Sequence, residues 1–184
     1  MHQKTRYSVR YAEKKGVKTQ IIKDNFIEHL PEFLRLMKTT SDRNSFSLHS
    51  DEYYKSYFEE IEKSKSGFMV IASLDGEVLA MHFIIVESCV AHYVFGASSN
   101  SKRELCAPYL AHFNAMLEAK SRGALSYNFG AISLDGENDH WKSLTLFKQK
   151  FGGKAFVHSK LFDVVNSSFW YYCYIARKFI KKFI

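Results

Sequence analysis

Apolar runs in the middle of the chain predict three consecutive strands. Two of these runs, residues 68–74 and 78–86, flank an Asp-Gly pair, which is a two-residue sequence favoured in tight β-hairpins. A third run covers residues 90–95, and the small and polar residues at 96–100 are expected to end it. The pattern therefore predicts an antiparallel meander.

Apolar residues spaced three and four positions apart predict helices on both sides of the meander. Asn25 is expected to cap one of them, and a polar turn at residues 39–47 is expected to follow that helix. Further along, Pro108 lies near the first turn of a helix and Gly123 lies just past its end, as is typical of helix boundaries. The predicted helices are residues 4–15, 26–37, 50–63, 106–122 and 144–151.

Strands predicted outside the meander complete the order of elements. Residues 17–22 come before it, residues 127–132 follow the long helix, and a hairpin-like pair is expected near residues 155–165. The order predicts an α+β fold, with a mixed, mostly antiparallel sheet flanked by helices. This succession is similar to that of N-acyltransferases of the GNAT type, so a single GNAT-like domain is expected.

The length of 184 residues fits one domain with a full core. We expect a basic helix at residues 1–16 that leads into the domain, the GNAT-like domain at 17–166, and a C-terminal amphipathic basic helix at 167–184. In this last segment, aromatic and apolar residues form one helical stripe beside four cations. Such a helix either lies on an anionic membrane or packs its stripe on the sheet, and the sequence leaves both alternatives open.

The net charge of +7 and the pI of about 9.2 predict an anionic partner: nucleic acid, a phosphorylated small molecule or an acidic membrane surface. Three widely spaced cysteines fit a reducing cytosol better than a disulfide framework. The first residues do not resemble a signal peptide, and no apolar run approaches the ~18 residues that span a bilayer. A cytoplasmic protein is expected, with peripheral contact at the membrane as the alternative that the last helix suggests.

The sequence patterns of several kinds of catalytic site are absent from this chain. There is no Gly-x-Ser-x-Gly sequence, and the eight histidines show no ligand spacing, so neither a serine nucleophile nor a metal is expected. His140 beside Asp139 is interpreted as a solvated pair in a polar loop. No cofactor is expected, because residues 96–108 lack the glycines with which GNAT enzymes hold the pyrophosphate of acetyl-CoA.

Two lysines mark a candidate site. Lys148 and Lys150 lie near the end of the helix predicted at residues 144–151, beside a strand end and before a Gly-Gly pair that suits a left-handed cap. Cations in this position either face a ligand at the edge of the sheet or only complement the helix dipole. Lys148 is expected at an exposed edge, with Phe147 and Phe151 anchoring its helix to the sheet.

Four segments, in this order, resemble the Fem aminoacyltransferases (FemABX), which extend the peptide stem of peptidoglycan precursors with amino acids from aminoacyl-tRNA. They are KTRYSVRYAEKKGV at residues 4–17; Thr40, Arg43 and Phe46 with Tyr53-Tyr54; VFGASS at 94–99 leading to Pro108; and YNFGAI at 127–132 with FKQKFGG at 147–153. Together they span nearly the whole chain. Family enzymes have two GNAT-like domains, and this chain resembles the second of them.

The resemblance implies transfer of an amino acid from aminoacyl-tRNA to the side-chain amine at the third position of a muramyl pentapeptide. The acceptor is UDP-MurNAc-pentapeptide or a lipid-linked peptidoglycan precursor, and a further domain or chain is implied as the first half. By matching the family's motifs, Arg43 is expected to hold the diphosphate of the precursor, and Lys148 to face either the reacting ester or the terminal adenosine of the tRNA. The other substrate-binding residues implied are Tyr54, Tyr93, Tyr127 and Lys150.

Two alternatives to a Fem-type transferase stay open at this point. The first is an N-acyltransferase of the same fold that uses acyl-CoA. The second is a non-catalytic basic module that binds a lipid-linked precursor, tRNA or the membrane. In a purely structural interpretation, Arg43 is a surface arginine at a helix end and Lys148 is a capping cation.

Overall fold

The structure is a computed structural model that describes residues 1–133, 139–157 and 163–180, with the backbone alone at 139–141. It divides into two compact units, Met1–Lys154 and Ala155–Ile184. The first unit contains a sheet with helices packed on it, and the second contains one described helix. The domain limits predicted at residues 16 and 166 stay a prediction.

In the described residues of the first unit, five strands form one sheet. They are β1 (Lys18–Ile22), β2 (Gly67–Leu74), β3 (Glu77–Glu87), β4 (Val90–Ser98) and β5 (Ser126–Asn128). The strands lie in chain order; β1 to β4 are antiparallel and β5 runs parallel to β4. The predicted hairpin is confirmed, since Asp75 and Gly76 have the positive φ values (50° and 81°) that its two-residue turn requires.

Helices cover both faces of this sheet, so the predicted α+β fold is confirmed. The helices of the first unit are α1 (Gln3–Lys14), α2 (Leu30–Asn44), α3 (Asp51–Ser64), α4 (Ala107–Ser121) and α5 (Asp139–Gln149). In β2, Phe68, Val70 and Ala72 belong to the core formed with α1 and α4. Met69 and Ile71 belong to the core formed with α2 and α3. A strand covered on both faces is a continuous apolar run, because successive side chains point to opposite faces.

The pairing of β3 with β4 slips by one residue at Val94. Ile84 pairs with Tyr93, but the residue before Ile84 pairs with Phe95, so Val94 is an extra residue in β4. The slip brings Tyr93 and Gly96 onto one face of the sheet. The Tyr93 hydroxyl then lies so close over Gly96 that any Cβ at this position would overlap it.

Asn25 does not cap α2, so that prediction was wrong. Asn25 adopts a left-handed conformation (φ 54°), and its side chain makes no capping hydrogen bond. A short 3₁₀ turn, Phe26–His29, comes next, and α2 begins only at Leu30 with Pro31 in its first turn.

The polar turn predicted after residue 38 is also wrong, because α2 continues to Asn44. The Thr40 hydroxyl donates to the carbonyl of Leu36 (2.8 Å) and accepts from the backbone N–H of Ser98 (2.9 Å). These two bonds satisfy a buried polar side chain inside the helix and join α2 to the end of β4. Arg43 therefore lies in the last turn of α2.

The elements after the meander differ from prediction in their limits. β4 continues through Gly96 to Ser98, since this stretch still pairs with β3. β5 is shorter than predicted, and α5 begins before Leu144. The described parts of the predicted last hairpin, residues 155–157 and 163–165, contain no strand, and the rest of it lies outside the described residues.

The beginning of α1 is hydrogen-bonded to the segment that follows α5. The His2 N–H and the Thr5 hydroxyl both donate to the carbonyl of Lys150, each at 3.0 Å. Gly152 has a φ of +85°, as predicted for a left-handed helix cap, and a Cβ there would lie 2.6 Å from the nitrogen of Met1. The two ends of the first unit are thus in direct contact.

The described helix of the second unit is α6 (Ser168–Ile180). None of its residues is buried, and its exposed large side chains include Phe169, Trp170, Tyr172 and Phe179. In the described parts of the chain, no helix is both long and apolar enough to cross a membrane. Contact of this segment with an anionic membrane stays a prediction.

Candidate functional site

A cavity of about 340 Å³ lies between the end of α2, the second half of β4, the start of α4 and α5. Its described lining contains no carboxylate but four cations: Arg43, Lys102, Arg103 and Lys150. Lys102 is paired with Glu77 at 2.8 Å, outside the lining. Such an excess of positive charge in a concave site favours an anionic ligand.

Arg43 is fixed at the cavity wall by the end of β4. Its Nη1 donates to the side-chain oxygen of Asn100 (2.6 Å) and to the carbonyl of Ser98 (3.2 Å), and its Nη2 donates to the Ser98 hydroxyl (2.8 Å). Burial lowers the pKa of Arg43, and the charge of Arg103 lowers it further. A partly buried guanidinium held in this way is already oriented for a ligand. No carboxylate in the described lining of the cavity competes with an anionic ligand for it.

The floor of the cavity contains a buried imidazole. His82 is only 2% exposed, and its Nδ1 has no hydrogen-bond partner among the described residues. The rings of Tyr93 and His112 lie against it, with centroid distances of 5.2 and 4.0 Å. Burial lowers the pKa of His82 to about 3, so this imidazole is neutral at neutral pH.

His112 connects the cavity floor to Tyr127 and Lys148. Its ring is fully buried, and its Nδ1 lies 3.2 Å from the Tyr127 hydroxyl. Burial holds the pKa of His112 well below its ordinary value, and repulsion from His82 whenever it is protonated, and from the Lys148 ammonium, acts in the same direction. Burial also raises the pKa of Tyr127. This second group of polar side chains is therefore neutral except for Lys148.

Lys148 is buried, so the expectation of an exposed edge was wrong. It is 9% exposed, its Nζ donates to the carbonyl of Ala131 at 2.8 Å, and it does not line the cavity. Phe147 and Phe151 pack against Tyr109 of α4, whereas the sheet was expected as their anchor. Burial lowers the pKa of the Lys148 ammonium.

The structure divides the predicted site residues into three groups. Arg43, Tyr93 and Lys150 line the cavity together. Tyr127 and Lys148 lie around His112, as described above. Tyr54 belongs to neither group, because it is 2% exposed in the core between the sheet and α3. A substrate role for Tyr54 stays a prediction that its burial does not support; the Asp139 and His140 side chains lie outside those described.

Sequence reasoning missed three residues of the cavity. Lys102 and Arg103 were passed over because they lie in a polar connection, where cations are usually solvated. His82 had a detectable signal, since it interrupts the apolar run of β3 at a position that pairs with Gly96 in the sheet. A polar residue inside a run that is buried on both faces is either satisfied or functional.

The burial of Lys148 predicts a pH-dependent cost to stability. Its pKa in the folded protein lies below that in the unfolded chain, so the cost is complete below the folded pKa and disappears as the pH rises towards 10.5. Lys148→Met is expected to raise the free energy of unfolding at pH 7, on the order of 1 kcal/mol, within the usual range for single substitutions. Denaturant titrations of both proteins from pH 7 to 10 should show this advantage shrinking. A constant or growing difference would contradict the assignment.

Comparisons with known proteins agree with this fold. A model of the FemAB family matches residues 1–78 and 71–174. No curated protein sequence matches the chain. Among solved structures, FemX superposes with a TM-score of 0.74 at 18% identity, covering 82% of this chain and 54% of that chain.

Two other structures share the fold at lower similarity. The C-terminal domain of a putative lysylphosphatidylglycerol synthetase from Agrobacterium fabrum has a TM-score of 0.58 at 14% identity, covering 83% of this chain and 51% of that one. A predicted acetyltransferase with acetyl-CoA from Clostridium acetobutylicum has a TM-score of 0.58 at 10% identity, covering 83% and 99%. The fold is thus GNAT-like, and the chain spans about half the length of FemX. Because the family model covers most of its residues, the chain belongs to the FemAB family.

Proposed function

We propose that this protein is a Fem-type aminoacyltransferase, or one half of such an enzyme. It transfers an amino acid from aminoacyl-tRNA to the side-chain amine of a peptidoglycan precursor, as the formation of cell-wall interpeptide bridges requires. The observation that carries the proposal is the cation-lined cavity with its fixed arginine, in a chain of the FemAB family.

The cavity suits the diphosphate of the acceptor. Arg43 is oriented by its bonds to Ser98 and Asn100, and Arg103 and Lys150 are exposed at the cavity mouth. Charge-assisted hydrogen bonds from guanidinium to phosphate are short and strong, and the fork of an arginine adds direction to them. Both UDP-MurNAc-pentapeptide and a lipid-linked precursor carry a diphosphate.

The reaction needs no protein nucleophile. The neutral amine of the acceptor attacks the ester carbonyl of the aminoacyl-tRNA, and a C–N bond forms. The ester C–O bond then breaks, and the ribose oxygen that leaves takes up the proton that the amine loses. Lys148 offers an ammonium whose other N–H groups stabilise the oxyanion of the intermediate. Its single described bond, to Ala131, fixes the direction of the side chain.

The distribution of charge supports an RNA donor. Residues 1–18 carry six cations and one carboxylate, a net charge of +5, whereas residues 19–163 have a net charge of −2. In α1, Tyr7 is 62% exposed and stacks on Tyr11, and Arg10 and Lys14 lie on the same exposed side. None of the described carboxylates pairs with a cation of this helix. Cations interleaved with aromatic rings suit phosphates and bases.

An acyl-CoA transferase is the alternative that the cavity itself favours, since coenzyme A also carries a diphosphate and the cavity lies at the start of α4. Against it, residues 97–106 contain no glycine, and Pro108 removes one backbone N–H from the first turn of α4. A thermal-shift assay separates the two ligands. Stabilisation by coenzyme A and not by a UDP-linked muramyl peptide would replace the proposed function.

The direct test of the proposed function is aminoacyl transfer by Lys148→Ala. Loss of one oxyanion donor lowers rates by about 10²–10³ in well-studied sites, and we expect a loss of this size. Transfer to UDP-MurNAc-pentapeptide is measured with the chain alone and with a chain that supplies the first half. The matched control is Lys142→Ala, an exposed lysine of the same helix that does not line the cavity. Equal rates for the two variants would remove Lys148 from the reaction.

Acceptor binding is tested separately by Arg43→Lys. A lysine keeps the charge but loses the fork, so affinity for the UDP-linked muramyl peptide should fall by roughly 1–3 kcal/mol in calorimetry. Arg35→Lys is the control, because Arg35 lies on the same helix and pairs only with Glu32 among the described carboxylates. Unchanged affinity in Arg43→Lys would exclude the arginine from the acceptor site.

Donor binding is tested by removing charge from α1. The double variant Arg10→Gln/Lys14→Gln should weaken binding of a tRNA acceptor-stem hairpin and lower the slope of log K against log salt by about 2. Lys38→Gln/Lys63→Gln removes the same charge from α2 and α3, where both lysines lie near carboxylates, and should leave the slope unchanged. The RNA surface lies elsewhere if both double variants lose affinity equally.

A further inference from the structure

The helix of the second unit, α6, has an apolar stripe with a large exposed area. At 100° per residue, the members of the stripe fall within an arc of about 120°. They are Phe169, Tyr172, Cys173, Ala176, Phe179 and Ile180. None of them is buried, and Phe169, Tyr172 and Ile180 are each more than half exposed. A contiguous exposed apolar surface of this kind marks a site of contact with a protein or a membrane.

The charge of this segment indicates what the stripe contacts. Residues 164–184 contain four cations and no carboxylate side chain. Arg177 and Lys178 lie in the last turn of α6, both exposed and both outside the stripe. Lys181 and Lys182 follow in the sequence, outside the described residues. Cations at this end complement the helix dipole, but the dipole does not explain the exposed rings that accompany them.

Two other partners fit α6 less well than a membrane does. Nucleic acid suits rings that are interleaved with cations, as on α1, whereas the placed cations of α6 lie beside its stripe. A second copy of the segment would cover the stripe, but it would offer no carboxylate to Arg177 or Lys178. An anionic lipid surface provides both an apolar layer for the stripe and phosphates for the cations.

We infer that α6 binds the surface of a membrane that contains anionic phospholipids. The helix lies in the plane of the surface, with its stripe at the level of the acyl chains and its cations at the phosphates. Trp170 borders the stripe, next to Arg177 on the helix circumference, and an indole ring suits the level of the lipid headgroups. The inference goes beyond the proposed function and does not rest on it.

The role of the cations is tested by co-sedimentation of the full chain with two kinds of vesicle. One is phosphatidylcholine alone, and the other contains phosphatidylglycerol as well. The wild-type protein should bind the anionic vesicles more tightly, and added salt should weaken this binding. Arg177→Gln/Lys178→Gln should weaken it roughly 25-fold, about fivefold for each cation. Lys38→Gln/Lys63→Gln is the matched control, because it removes the same charge from α2 and α3 and should leave binding unchanged.

The role of the stripe is tested by Phe169→Ser/Ile180→Ser. Both side chains are exposed, so the melting temperature should stay nearly unchanged, while binding to the anionic vesicles should fall roughly tenfold or more. Fluorescence gives a second readout with the stripe intact. Trp141 and Trp170 are the two tryptophans of the sequence, so Trp141→Phe makes Trp170 the reporter. Its emission should shift to shorter wavelength when anionic vesicles are added.

Several outcomes would overturn the inference. These are equal binding to both kinds of vesicle, equal loss in the charge variant and its control, or an unmoved emission of Trp170 at saturating lipid. Weaker binding of a tRNA hairpin by Arg177→Gln/Lys178→Gln, with vesicle binding unchanged, would assign the helix to nucleic acid instead. A dimer in sedimentation that Phe169→Ser/Ile180→Ser dissociates, without vesicle binding, would assign the stripe to a second copy.

Failure of the proposed function gives a different result, because the vesicles contain no peptidoglycan precursor. Vesicle binding that depends on α6, in a protein that transfers no amino acid, would retain the membrane surface and reject the transferase. Transfer without vesicle binding would reject the membrane surface alone.

Discussion

The site depends on how briefly β4 and β5 pair. The two parallel strands are joined only from Val90 to His92, and the slip in the β3–β4 register follows at Val94. Beyond this point the chain after β5 has no strand partner among the described residues, so its backbone carbonyls are open to hydrogen bonds from side chains. Lys148 takes that place by donating to the carbonyl of Ala131. The buried lysine is thus a consequence of where the sheet stops pairing.

The polar interior next to this point is kept neutral. The rings of His82 and His112 are in contact, with centroids 4.0 Å apart, and burial holds the pKa of each far below its ordinary value. A second positive charge beside Lys148 would be costly in such surroundings, so the cluster has room for one cation only. The other cations line the cavity: Arg43 is half-buried in its wall, and Arg103 and Lys150 are exposed. Under the proposed function, the ammonium at the reacting ester and the cations that bind phosphate therefore belong to separate groups of side chains.

The sequence predicted the meander, its turn and most helices, because their patterns are local. It did not predict that α2 passes through a polar stretch, since Thr40 is satisfied by Ser98, a residue far along the chain. The same dependence on contacts between distant residues limited the prediction of the candidate site. Arg43 and Lys148 were found by their motifs, but the burial of Lys148 comes from tertiary packing, which periodicity does not record. Lys102 and Arg103 gave no signal, because only the fold brings their connection to the end of α2.

The two hydrogen bonds from α1 to the carbonyl of Lys150 have a consequence for communication within the molecule. The backbone carbonyl of Lys150 is hydrogen-bonded to the start of α1, while the Lys150 side chain lines the cavity. A displacement of α1 therefore also displaces one wall of the cavity. Linkage is reciprocal, so a ligand that draws Lys150 inward also changes the preferred position of α1. Binding of a ligand in the cavity and the position of the N-terminal helix are in this way coupled.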